Sequence, residues 1–152
     1  MNTGAPTSTI TISRTVPASR AAAFAAWTEP EQLAQWWWPQ FADTAYELEV
    51  RVGGRFHIHS AQLGQGARGE FTAVEPGRRL AMTWIWEGGS GDGSVIDEVV
   101  VTFTPVAEGT EVTVRHTSTE HVEGGGAEQG WIDCLDRLPG HLAGSHAPQG
   151  AG

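Results

Sequence analysis

The stretch from Ala127 to Ala143, AEQGWIDCLDRLPGHLA, constrains this chain more than any other. At ~100° per residue, Trp131, Leu135, Leu138 and Leu142 fall in one narrow sector with Cys134 at its margin. Asp133, Asp136 and Arg137 lie opposite, so one side needs an apolar partner and the other needs water. Upstream the chain offers mainly amphipathic strands. The expected architecture is therefore a sheet curled round one long helix. Pro139 lacks an N–H and its ring crowds the carbonyl of Leu135, with Gly140 next. The helix either stops near Leu138 or kinks and continues, and Leu142, still in register with the stripe, favours continuing. A run from Ala127 to Ala143 spans ~25 Å, against ~18 Å for a stop at Leu138.

The strands are read from period-two alternation. Ile10, Ile12 and Val16 mark the first, ended by Pro17. Ser19 is placed to cap a short alanine-rich helix carrying Phe24 and Trp27. Thr28, Pro30 and Glu31 read as a capping box for a second helix, with Leu33, Trp36 and Trp37, that stops at Pro39. Tyr46, Leu48 and Val50 then alternate with charged residues up to a tight turn at Gly53-Gly54. Phe56 and Ile58, then Phe71 and Ala73 beyond a glycine-rich loop, carry the next two apolar faces. After a turn at Glu75-Pro76-Gly77 come Leu80, Met82, Trp84 and Trp86, followed by Val99, Val101 and Phe103 and finally Val112, Val114 and His116. Six strands in hairpin order after a strand and two helices give an antiparallel α+β fold of about seven strands. One domain is expected over residues 9–143, with flexible tails at 1–8 and 144–152.

Composition removes several functional classes. The chain has 152 residues and a net charge of −9, which opposes nucleic acid or an anionic membrane as partner. A single cysteine, Cys134, excludes an intrachain disulfide and fits a reducing cytoplasm. The N-terminus shows no secretion signal, and no apolar run approaches the ~20 residues of a membrane span. A cytoplasmic protein is the expectation. Seven tryptophans are many for this length, and tryptophan tends to line pockets and interfaces.

Several ordered motifs resemble one family. They are Val16-Pro17-Ala18, Trp27-Thr28-x-Pro30-Glu31-x-Leu33, Trp36-Trp37 ahead of Pro39, and Val52-Gly53-Gly54-Arg55-Phe56. Then follow Gly69-Glu70-Phe71, Glu75-Pro76, Arg79-Leu80, Thr83-Trp84, Gly109-Thr110, Val114-x-His116 and Gly130-Trp131 with Leu135 and Leu138. In this order, over residues 9–143, they resemble the SRPBCC (START-like, helix-grip) superfamily, and within it the bacterial family related to activators of the ATPase of heat-shock protein 90. Trp38 stands where that family usually has glycine, and Pro139-Gly140 interrupts a final helix that is normally continuous. The resemblance implies a ligand cavity between sheet and helix, and a link to chaperones and the stress response. It fixes no reaction, because the superfamily includes binders, transfer proteins and cyclases.

Candidate chemistry is sparse. Gly64-x-Gly66-x-x-Gly69 matches the dinucleotide pattern, but a strand rather than a helix is expected after it, so no cofactor is assigned. His57 and His59 share the solvent face with no third ligand at recognisable spacing, so no metal is assigned. His116 shares a face with Val112 and Val114 and should point inward, as a core histidine, a ligand-orienting group or an acid–base. Trp36, Trp37 and Trp38 cannot share one helix face, so at least one must reach the surface, a pocket mouth or an interface. The expected ligand-binding set is Trp37, Tyr46, Phe56, Ile58, Phe71, Trp84, Trp86, Val101, Phe103, His116, Trp131, Cys134, Leu135 and Leu138, with no catalytic residue. It suits a hydrophobic or aromatic small molecule. The alternatives are a cyclase- or hydratase-type enzyme using His116 with a group such as Ser118, and a chaperone-associated interaction module or homodimer.

Overall fold

The computed structural model describes residues 8–37, 41, 43–88, 96–118 and 126–151. Strand β1 (Ser8–Val16) buries Ile10, Ile12 and Val16 and leads into helix α1 (Arg20–Thr28). The Ser19 hydroxyl accepts the Ala22 N–H at 3.1 Å, capping α1 as its sequence requires. Thr28 does not cap the next helix. Its hydroxyl donates back to the Phe24 carbonyl at 3.1 Å, and Glu29 stands at the cap of α2 (Pro30–Trp36) without a side-chain bond. Pro30 takes the first helical position, where a missing N–H loses nothing. Helix α2 ends before Pro39, because Trp37 has already left helical geometry at φ −104°, ψ 102°. That early exit lets Trp36 and Trp37 both be buried, and Trp38 lies outside the described residues.

The two helices carry the chain to the far edge of the sheet. There β2 (Ala45–Leu48) begins a run of hairpins through β3 (Arg55–Ser60), β4 (Gln65–Glu75), β5 (Arg79–Gly88), β6 (Asp97–Val106) and β7 (Gly109–Ser118). The order across the sheet is β1-β7-β6-β5-β4-β3-β2, antiparallel throughout. With α3 (Gly126–Ala151) laid against it, this is the helix-grip α+β fold. Val50 falls outside β2, and the turn after it spans Glu49 to Gly54, longer than a two-residue hairpin. The wider turn arises because the Glu49 N–H reaches the Arg55 carbonyl at 2.8 Å, which closes the ladder two residues early.

The glycine-rich segment is strand rather than loop. Only Gly64, at φ +72°, belongs to the turn, and β4 starts at the next residue. A Cβ at Gly69 would stand 2.0 Å from the Thr83 carbonyl oxygen and 2.8 Å from the Phe56 ring. Glycine there lets β4 approach β5 while the rings of Phe56 and Trp84 meet with centroids 5.4 Å apart. The dinucleotide-like spacing thus serves sheet coiling, with strand on both sides of Gly69.

Helix α3 runs through Pro139 without stopping, and Trp131, Cys134, Leu135, Leu138 and Leu142 are all buried along it. Asp133 and Asp136 face out, and Asp136 accepts from Arg14 of β1 at 2.8 Å. The helix continues past Gly144 to Ala151, where local composition suggested a loose tail. Once a helix is nucleated, each added residue brings its own bond, so weak formers can extend it. At 1.5 Å per residue α3 is about 39 Å long. His141 Nε2 to Gln32 Oε1 at 3.1 Å and Arg137 Nη1 to the Trp36 carbonyl at 3.4 Å tie it to α2.

On the outer face, Glu87 meets His57 Nε2 at 2.7 Å and Arg68 Nη1 at 2.9 Å. Burial works against ionisation of Glu87, but the bonds from His57 and Arg68 outweigh it and hold the carboxyl below its usual 4.5. A depressed folded-state value adds stability that is present above 4.5 and is lost as pH falls through the folded value. Glu87→Gln should therefore lower the urea midpoint at neutral pH, and the deficit should shrink as the pH falls below 4.5 and Glu87 of the parent takes up its proton. An equal deficit at neutral and at acid pH would show that the contact acts by packing alone. His57 and His59 stack at 5.8 Å, and no group of three or more metal-ligating side chains occurs among the described residues.

Candidate functional site

The space between the sheet and the helices is filled mainly by aromatic rings. Trp131 of α3 lies 6.1 Å from Trp27, 5.1 Å from Trp37 and 5.2 Å from Trp84, centroid to centroid. Trp27 and Trp36 meet edge-on at 4.8 Å, and Trp36 Nε1 donates to the Ala26 carbonyl at 3.0 Å. Beside these rings lies a small void of about 20 Å³, with Trp27, Trp37 and Trp84 in its wall. That is room for about one water molecule. The rings pack against one another, which leaves little open volume between them.

Of the expected site residues, Trp37, Phe56, Ile58, Phe71 and Trp84 line this void. Trp27, Leu33, Leu48, Leu80 and Met82 complete its wall and were absent from the expected set. Leu80 and Met82 share the Trp84 face by parity, so the signal for them was in the sequence. Val101, Phe103, Trp131, Cys134, Leu135 and Leu138 are core residues around the void rather than in its wall. Tyr46 and Trp86 are half-buried and pack against that core. The Tyr46 hydroxyl donates to the Trp37 carbonyl, and burial pushes its phenol upward.

A polar chain crosses this apolar interior. Trp131 Nε1 donates to His116 Nδ1 at 2.9 Å, and His116 Nε2 lies 2.7 Å from Asp97 Oδ2. An indole N–H can only donate, so Nδ1 must accept and the ring proton sits on Nε2, facing the carboxylate. His116 is fully buried and Asp97 is 5% exposed. The inward direction expected for His116 is what the fold gives, but its partners are side chains, with Trp86 stacked at 6.0 Å. Both ring nitrogens are engaged, which leaves neither open to a reacting group. Asp97 went unnoticed in the sequence, although its parity with Val99 and Val101 places it inward. Ser118, on the same face, is also buried.

Unsatisfied groups mark where something could bind. Among the described residues, Trp27 Nε1, Trp84 Nε1 and Asp97 Oδ1 are buried with no hydrogen-bond partner. Trp27 and Trp84 both line the void.

The fold agrees with comparison to known families. The model of the Activator of Hsp90 ATPase homolog 1-like protein family matches residues 17–143. The chain belongs to that family. It lies within the SRPBCC superfamily, in keeping with the seven-stranded sheet and its long final helix. A putative uncharacterized protein from Rhizobium leguminosarum has a similar structure, with a TM-score of 0.77 at 23% identity over 91% of this chain and 95% of its own. CalU16 from Micromonospora echinospora gives a TM-score of 0.70 at 23% identity, over 92% of this chain and 79% of its own. DynU16, a putative protein in the dynemicin biosynthetic locus, gives 0.69 at 25% identity, over 91% of this chain and 48% of its own. No curated protein matches the chain. The family's final helix survives here despite Pro139, and among the described residues no helix is long and apolar enough to cross a membrane.

Proposed function

We propose that this member of the family is a binding domain for a small molecule with a flat, apolar body and a hydrogen-bond acceptor, taken up between the sheet and the helices. The observation that carries this reading is the pair of indole N–H groups, on Trp27 and Trp84, without acceptors at the wall of the void. A buried donor left unmet costs about 1–3 kcal/mol, which an acceptor on a bound molecule would recover. The void is far smaller than such a molecule, so uptake requires the rings to part. The location of DynU16 in a biosynthetic locus fits a fold used on small organic molecules. Binding is favoured over turnover because both ring nitrogens of His116 are engaged, one with Trp131 and the other with Asp97.

Titration with 2-acetylnaphthalene should quench tryptophan emission saturably, while 2-ethylnaphthalene, which lacks the carbonyl, should bind about tenfold more weakly, a difference of ~1.4 kcal/mol. Trp84→Phe keeps a ring but removes the N–H and should narrow that preference. Absence of saturable quenching by either compound would refute the reading.

A further inference from the structure

At one end of the sheet the β4–β5 turn, the start of α1 and residues 102–105 of β6 frame a pocket of about 540 Å³. Arg20, Arg78 and Arg79 line it, with Glu75 as its single carboxylate. Three contacts bring these segments together. A Cβ built on Gly77 would stand 3.7 Å from that of Arg20, and the Phe103 N–H donates to the Arg78 carbonyl at 2.9 Å. Arg79 pairs with Thr102 across β5 and β6. Glu75 touches two of the guanidinium groups, 3.2 Å from Arg79 Nη2 and 3.9 Å from Arg78 Nη1. Those two arginine side chains are 46% and 74% exposed, so both stay open to a ligand. Arg20 is exposed and makes no ion pair among the described residues. It also opens α1, at the end of a helix that attracts anions, and no acidic side chain stands in that first turn. Helix stability thus gives no reason for a cation there.

From this arrangement we infer that the pocket binds the phosphate group of a small phosphomonoester. Three guanidinium groups against one carboxylate leave two positive charges in excess, although the chain as a whole carries −9. Charges elsewhere on the surface are screened beyond about 8 Å at physiological salt, so the local excess decides. A phosphomonoester carries close to two negative charges at neutral pH, which matches that excess. Each guanidinium presents a planar fork of donors suited to phosphate oxygens. Thr104, exposed in the pocket wall, adds a hydroxyl. Glu75 keeps Arg78 and Arg79 side by side but cancels one of the three charges, so it weakens the site that it orders. The pocket shares no lining residue with the interior void and stands whether or not that void takes a ligand.

The test is a titration at constant ionic strength with glycerol 3-phosphate and, separately, with glycerate, which has a similar hydroxylated body and one negative charge. Two-dimensional amide NMR should show saturable shifts at Gly77, Arg78, Arg79 and Thr104 with the phosphate. Glycerate should bind at least about fivefold more weakly. Arg20→Gln and Arg78→Gln should each weaken the phosphate by about fivefold. Glu75→Gln should have the opposite sign and tighten it about twofold. Arg51→Gln removes the same charge from an exposed residue outside the pocket and should leave the affinity within about twofold of the parent's. The three arginines are exposed, so their variants should keep the fold. Should Glu75→Gln not fold, the arginine variants and the comparison with glycerate still decide. Equal binding of phosphate and glycerate, a loss in Arg51→Gln as large as in Arg20→Gln, or shifts confined to residues away from the pocket would overturn the proposal.

Discussion

Replacing His116 with leucine should destabilise the protein by about 3–5 kcal/mol, because it strands a buried carboxylate without its partner. The same change removes the acceptor of the Trp131 N–H, so donor and acceptor are orphaned together. Replacing both members, Asp97→Leu with His116→Leu, should cost less than the single change, since no charge is then left in the interior. Urea denaturation of the parent, both single variants and the double variant gives the coupling directly. A double variant as damaging as the sum of its singles would mean the two residues act independently, contrary to their 2.7 Å contact.

Trp131→Ala should cost about 3–5 kcal/mol as well, but by a different route. Trp131 touches Trp27, Trp37 and Trp84 and is the only ring that α3 contributes to that cluster among the described residues. Its removal leaves a ring-shaped hole beside a void already present, lined by apolar groups and one imidazole nitrogen. Indole added to this variant should restore part of the lost stability, since it can refill the hole and donate to His116 Nδ1. Trp131→Phe should keep most of the packing and lose the bond, falling between the two. If indole raised the melting temperatures of parent and variant equally, the hole would not be where the rings place it.

The fold was legible in the sequence because it rests on two periods. Alternation placed Phe56, Trp84, Val101, Val114 and His116 inward, and each of them is buried. The 3.6-residue period placed Trp131, Leu135, Leu138 and Leu142 along one stripe, and the stripe holds through Pro139. Periodicity fixes which way a side chain points and says nothing about how much space is left once neighbours meet. That is why the aromatic residues were identified while the near-absence of open volume among them was not. The joint burial of Trp36 and Trp37 was hidden for another reason: helical spacing assumes a helix, and the Trp37 backbone had already become extended. Thr28 shows the limit of motif reading, since a hydroxyl at the right spacing from Glu31 can equally bond backward to Phe24. Asp97 was missed because a charged residue among valines reads as the end of a strand, whereas its inward parity gives it a buried histidine to meet.

The pairing of β1 with β7 has a consequence for how the chain is made. Thr9 and Thr117, whose hydroxyls lie 3.2 Å apart across those strands, are separated by 108 positions. During synthesis β1 emerges first, yet its one neighbour in the sheet is the last strand to appear. Bringing together ends that far apart carries an entropic penalty of about 4 kcal/mol before any contact between them returns it. Every strand from β2 to β7 can zip by local hairpins, so the sheet is able to grow from its middle while β1 stays idle. The growing polypeptide thus carries β1 unpaired until the ribosome has released β7, and in that interval the strand's open edge is exposed to pairing with other copies.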